Sequence, residues 1–223
     1  MCGIIGSFDI NVNQKVLSIL NHRGPDDNGF YQDQNIYLGQ TRLSIQDLSD
    51  NGHQPMISDD GNIVLIYNGE IYNCRELRSK IEREGVSFRG SSDTEVILRL
   101  YEKYGNDFLS KLNGIFALSI WNKRDKNLLI ARDHFGVKPL YYTNTNKNFT
   151  FSSEIKAILE LKSNTFNEID YTSIISHLTY MWSPGPNTMF ENIKKLEPGT
   201  AMILKDSKII KKWQYYDISF DNV

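Results

Sequence analysis

The chain has 223 residues, 40% of them hydrophobic and 23% charged, with a formal net charge of -2; this is enough for a packed core and gives no electrostatic reason to expect nucleic acid or an anionic membrane as a partner. No apolar run approaches the ~20 residues that span a bilayer, and the opening MCGIIGSFDI lacks a basic leader and is broken by Asp9, so no signal peptide is expected. Two cysteines, Cys2 and Cys74, make neither a disulfide framework nor a metal cluster, and the expected compartment is the reducing cytoplasm.

Residues 4–8, 36–38 and 63–67 read as strands, rich in β-branched or aromatic side chains and bounded by Gly, Asn or Asp. Asn73 with Glu76 resembles a capping box; Leu77 and Ile81 follow at helical spacing, and Gly85 stops the run. A second helix begins near Asp93, with Val96, Ile97, Leu100, Tyr101 and Tyr104 on one face and Gly105 at its stop. Residues 115–121 and 128–131 read as a hairpin, 149–152 as a strand, 154–161 and 171–180 as helices, and 201–204 with 209–213 as a last hairpin. Many strands without strict βαβ alternation give an α+β class with mainly antiparallel sheet. Residues 1–212 are expected to form one domain, and 213–223, aromatic and acidic, a linker.

Methionine is commonly removed before a small residue, and Cys2 would then carry a thiol and a free α-amino group together. Such an amine titrates at about 7.7–8.0, so it can serve as the base for its own thiol. Taken alone, Cys2 reads first as a small apolar residue in a strand.

The surrounding motifs point one way. Cys2-Gly3-Ile4-Ile5-Gly6, His22-Arg23-Gly24-Pro25-Asp26, Gly39-Gln40-Thr41-Arg42-Leu43-Ser44-Ile45, Tyr67-Asn68-Gly69-Glu70-Ile71-Tyr72-Asn73 and Ser92-Asp93-Thr94-Glu95 appear in order. Arg132-Asp133-His134-Phe135-Gly136-Val137-Lys138-Pro139-Leu140-Tyr141-Tyr142, Phe151-Ser152-Ser153-Glu154-Ile155-Lys156-Ala157 and Leu196-Glu197-Pro198-Gly199 complete the set. Together they resemble the class II glutamine amidotransferases, in the form typical of the asparagine synthetase branch. The resemblance implies an N-terminal-nucleophile hydrolase: a four-layer α/β/β/α sandwich of two mainly antiparallel sheets that releases ammonia from L-glutamine.

It also implies residue roles. Cys2 is the nucleophile that forms a γ-glutamyl thioester. The Asn68 side-chain amide and the Gly69 N–H form the oxyanion hole, aimed at the charge that develops on the attacked carbonyl. Arg42 takes the substrate α-carboxylate, Glu70 and Asp93 its α-ammonium, and backbone groups of Leu43, Ser44, Ile45 and Gln46 line the pocket. Local readings stand beside these: Asn68-Gly69 as a hairpin turn, Asp93 as a helix N-cap, each charge as a solvated surface group. His22 reads as a general base, but the amine already fills that role, so Arg23-Gly24 is expected to shape the wall near Cys2. Arg132, Asp133 and Lys138 read as a buried charged turn or as a face toward a partner domain. His53, His134 and His177 have no metal-ligand spacing, and Cys74 reads as packing.

The branch's second domain carries a Ser-Gly-Gly-x-Asp-Ser phosphate loop, and neither that loop nor GxxxxGK[ST] occurs here. The chain is therefore expected to need no cofactor. ATP and Mg belong to a C-terminal synthetase domain that would receive the ammonia. An acceptor other than aspartate (sugar-acid amidation or lactam formation) and a non-catalytic glutamine-binding module remain open, as does assembly as a homodimer.

Overall fold

Side chains alternate across a strand, and where both faces are covered the sequence becomes a near-continuous apolar run. That accounts for IFALSIW at 115–121 and LLIA at 128–131. A computed structural model describes residues 1–8, 12, 14–145, 148–161 and 168–218. Its strands are β1 (Gly3–Ser7), β2 (Asp27–Gln32), β3 (Tyr37–Arg42), β4 (Met56–Ile57), β5 (Ile63–Ile71), β6 (Gly114–Asn122), β7 (Asn127–Arg132), β8 (Tyr141–Thr145), β9 (Asn148–Ser152), β10 (Lys194–Lys195), β11 (Thr200–Lys205) and β12 (Lys208–Gln214). The helices are α1 (Cys74–Arg83), α2 (Asp93–Tyr104), α3 (Ile155–Leu161) and α4 (Tyr171–Tyr180), with 3-10 segments at Gln14–Leu20, Asp50–Gly52 and Gly105–Lys111.

The strands form two six-stranded sheets, ordered β10-β8-β9-β1-β3-β2 and β12-β11-β7-β6-β5-β4. Among the described residues every strand pairing is antiparallel. Period two then sorts the core into layers. Ile4, Leu38, Val64, Ile66, Ala117, Trp121, Leu128, Ile130 and Met202 fill the space between the sheets. Leu65, Tyr67, Phe116, Leu118, Ile120 and Leu129 face the other way, onto Leu77 and Ile81 of α1 and Val96, Ile97 and Leu100 of α2. On the opposite outer face Ile5 and Tyr37 pack with Val16, Leu17 and Leu20 of the 3-10 segment and Ala157 of α3. The result is the four-layer α/β/β/α sandwich of two antiparallel sheets that the resemblance implies.

Several local expectations change. The strand expected at 36–38 is β3 and runs on to Arg42; the one expected at 63–67 is β5 and runs through Asn68-Gly69 to Ile71. Asn73 and Glu76 form no capping box. Asn73 makes no side-chain cap bond, and its amide instead donates to Lys111 O (2.9 Å) and accepts from Asn113 N (3.0 Å), tying α1 to the segment before β6. The cap of α2 is Ser92, which accepts from Glu95 N, so Asp93 is the first helical residue rather than the N-cap. Trp213 and Gln214, placed by sequence in the linker 213–223, are the last residues of β12, and Tyr215 O–H donates to Arg132 O at 2.5 Å. Residues 219–223 of that segment lie outside the described residues.

Candidate active site

The two sheets and α2 leave one cavity of about 270 Å³ where the residue before β1, the end of β3, the middle of β5 and the start of α2 converge. Alternation decides what β5 sends there. Val64 and Ile66 face the other sheet, and Asn68 continues that face; Tyr67 between them faces the helices. Cys2, Arg42, Leu43, Ile45, Gln46, Asn68, Gly69, Glu70 and Asp93 all line the cavity. Ser44 does not: its N–H donates to Asp26 Oδ2 at 2.8 Å, and it lies in a separate depression with Asp27, His53 and Asp50.

Cys2 is held by two residues, Leu43 and Arg23. Leu43 N–H points at its sulfur (3.5 Å), and Arg23 Nε donates to its carbonyl (2.9 Å). Arg23 is in turn fixed by Glu154 at 3.0 Å, which also takes His22 at 2.8 Å. Burial alone would raise the Glu154 carboxyl, but its bonds to Arg23, His22 and Lys156 outweigh this and hold it below its ordinary value. Ile4 N–H donates to Ser153 Oγ (3.1 Å), and Ile4 O accepts from Ser153 N (2.9 Å), which fixes the direction in which β1 leaves the cavity. His22 therefore orients Glu154 on the exposed side.

Asn68 is 1% exposed, and among the described residues its Nδ2 has no hydrogen-bond partner. A buried donor left unpaired costs about 1–3 kcal/mol, so an amide of this kind facing a cavity is suited to receiving an acceptor from a ligand. The next residue has no room for a side chain. A Cβ on Gly69 would sit 2.3 Å from Ile115 O and 2.8 Å from Phe116 Cα, so glycine lets β5 and β6 stay paired beside the cavity.

The charged end is built by β3, α2 and the chain between β3 and β4. Arg42 is 7% exposed, and its Nη2 donates to Gln46 O (3.0 Å) and Asp47 O (2.5 Å). Gln46 Nε2 donates to the Glu70 carboxylate. Asp93 Oδ2 accepts from Tyr67 O–H (2.7 Å) and Ile71 N–H (3.1 Å). Burial, with a smaller push from Glu70, raises the Asp93 carboxyl above its ordinary value despite these bonds. Burial and the Asp93 charge together raise the Tyr67 phenol, which stays neutral and donating. Cys74, behind Asp93, is half-buried, and burial pushes its thiol up to about 11, which suits packing rather than reactivity.

Gln54, Tyr67, Thr94, Gly52 and Lys138 line the same cavity without having been singled out as binding residues from the sequence. Their signal is three-dimensional. Gly52, for example, matters because a Cβ there would fall 2.0 Å from Arg42 Nη2. Of the two readings of 132–138, the structure shows the turn, closed around a buried Asp133. Asp133 is fully buried and accepts from the N–H groups of Phe116, Phe135, Val137 and Lys138, while Arg132 donates to Gly136, Lys138 and Leu196 carbonyls.

With this geometry in hand, comparison with known proteins is direct. A family described as a glutamine amidotransferase domain matches residues 1–216. The chain is 38% identical to glutamine-hydrolyzing asparagine synthetase 1 of Bacillus subtilis (strain 168), covering 100% of this chain and 36% of that protein. It is 36% identical to a putative glutamine-hydrolyzing asparagine synthetase 2 of Methanocaldococcus jannaschii, covering 98% of this chain and 47% of the relative. The chain thus spans between a third and a half of these relatives' length. In fold it matches the glutamine phosphoribosylpyrophosphate amidotransferase of B. subtilis, complexed with ADP and GMP, at a TM-score of 0.73 and 20% identity over 96% of this chain and 49% of that one. The chain belongs to the glutamine amidotransferase domain family, in its class II form.

Proposed function

We propose that the chain hydrolyses the side-chain amide of L-glutamine to glutamate and ammonia, with Cys2 as nucleophile. The observation that carries this reading is the buried Asn68 Nδ2, unpartnered among the described residues, in the cavity that Cys2 also lines. In the chain as written Met1 precedes Cys2 and lines that cavity too. Its removal would free the Cys2 α-amino group to take the thiol proton. The thiolate adds to the carboxamide carbon, and the oxyanion is met by Asn68 Nδ2 and Gly69 N–H. The amine passes the proton to the departing nitrogen, the C–N bond breaks, and ammonia leaves a γ-glutamyl thioester. Water then adds to the thioester carbon, and the C–S bond breaks to return the thiol. Arg42 holds the α-carboxylate, while Asp93 and Glu70 hold the α-ammonium.

The ammonia acceptor is a proposal of second order. The relatives' names support asparagine as the product; the reading proposed with it is that a further domain amidates aspartate with ATP and Mg, the connecting segment following Tyr215. Two free cysteines support a reducing, cytoplasmic setting; among the described residues no helix is long and apolar enough to cross a membrane. The test is covalent. Protein lacking Met1 is treated with a diazoketone analogue of glutamine, and intact mass and peptide mapping are read alongside ammonia release. One adduct on Cys2, blocked by glutamine, supports the mechanism. Glutamine binding with neither adduct nor ammonia would leave a binding module.

A further inference from the structure

Gln54 is 4% exposed, and both ends of its amide are engaged. β4 pairs with β5 at Met56↔Leu65 and Ile57↔Val64 only. Two residues further on, the Tyr67 N–H on that edge meets a side chain instead of a strand: Gln54 Oε1 accepts it at 2.7 Å. The other end of the amide, Nε2, donates to Thr94 Oγ1 at 3.2 Å. Thr94 follows Asp93 in α2, and Asp93 accepts from the Tyr67 hydroxyl at 2.7 Å. Three hydrogen bonds thus close a ring through Gln54, Tyr67, Asp93 and Thr94. The ring joins the residue immediately before Asn68 to the carboxylate assigned to the substrate ammonium.

Resting on the proposed glutaminase reading, we propose that Gln54 is a positioning and specificity-determining residue: it fixes the span between the oxyanion donor on β5 and the ammonium site on α2, and so the length of amino-acid amide that reacts. Glutamine has one methylene more than asparagine between its two ends. A rigid span rejects the shorter amide because asparagine cannot place its carboxamide at Asn68 while its ammonium stays at Asp93. One methylene in a fitted pocket is worth about 10–200-fold in discrimination. Small displacements of reacting groups carry similarly large rate effects.

The variants are Gln54→Met, which keeps the length and removes both bonds, and Thr94→Val, which removes one bond and keeps the fold's shape. Active sites are counted by titration with the diazoketone analogue, and kcat and KM are measured per titrated site for glutamine and for asparagine. Gln54→Met is expected to lower kcat/KM for glutamine about tenfold or more and to narrow the glutamine-to-asparagine ratio by a similar factor. Thr94→Val should move the ratio the same way by less. Fewer titratable sites with unchanged constants and an unchanged ratio would mark Gln54 as purely structural and overturn the proposal. Amide hydrogen exchange is followed in parallel. Tyr67 N–H should be protected in the parent chain and exchange about tenfold faster or more in Gln54→Met. Unchanged exchange overturns the strut even in a parent chain that neither reacts with the analogue nor releases ammonia, an outcome that by itself counts against the glutaminase reading.

Discussion

Asp93 is placed under two opposed demands. Burial makes its charge costly, while the substrate ammonium proposed to bind there requires that charge. Its folded-state pKa lies above its unfolded value, so the folded state holds the proton more tightly. The contribution of Asp93 to stability is therefore fully present below its unfolded pKa and falls as pH rises through the raised folded value. Asp93→Asn keeps an oxygen for Tyr67 and Ile71 and removes the charge. At pH 7 its melting temperature is expected to rise above the parent's, and that gain should vanish on acidification, when the parent carboxyl is protonated. Its KM for glutamine should rise by tenfold or more, on the order of a lost charged hydrogen bond of about 1.5–3 kcal/mol. In the parent chain glutamine affinity should weaken as pH falls through the raised Asp93 pKa, which isothermal titration at several pH values will read. Asn68→Ala acts on the other end: turnover should drop by about 10²–10³ with little change in KM, measured by ammonia release. At this scale Cys2, Arg42, Asn68, Glu70 and Asp93 were legible as residues of one cavity because each sits in a motif. Ser44 was carried along by its neighbours and faces elsewhere. Gln54 and Thr94 were not legible, because their roles depend on where β4 stops pairing, which no local pattern records.

Among the elements, the turn after β7 shows how charge can be spent on shape. Asp133 accepts four backbone N–H groups, two at each oxygen: Phe116 of β6 and Phe135, Val137 and Lys138 of the turn itself. Asp133→Ala should strand these donors and cost about 3 kcal/mol or more, read as a lower urea midpoint with unchanged slope. Ser92→Ala removes a single cap bond at α2, and about 1 kcal/mol is expected in the same assay. Helix faces and hairpins were readable from periodicity, as α2 and the β6–β7 pair attest. Asn68-Gly69 resembles a turn locally, yet it lies within β5 because β6 pairs alongside it from Ile63 to Ile71. The capping-box pattern at Asn73 was likewise overridden, since its amide satisfies groups forty residues away. β2, with Asp27, Asn28 and Gly29, has weak strand propensity and is held by its register with β3.

For the whole molecule, the cavity belongs to neither sheet. Cys2 and Arg42 come with one sheet, Asn68 and Gly69 with the other, and the packed layer between them keeps the two halves in place. Reactivity of Cys2 toward the glutamine analogue should therefore be lost along the same denaturant curve as tryptophan fluorescence, since Trp121 lies in that layer. An earlier loss would place the weak point at the cavity rim. The layered architecture could be anticipated only from the family resemblance; composition and periodicity supplied strands and helices but not which sheet each joins.

The clamp on β1 also has a consequence in time. Ile4 is fastened by Ser153, 149 residues later in the chain. At about 5–20 residues per second, β1 waits roughly seven to thirty seconds before β9 and Ser153, which fix its course beside the cavity, are made. Pairings this distant in sequence also slow folding itself. The residue proposed as nucleophile is thus among the first to be synthesised, while the strand that fixes its own strand comes much later, so an unfinished chain would carry that thiol outside its finished setting.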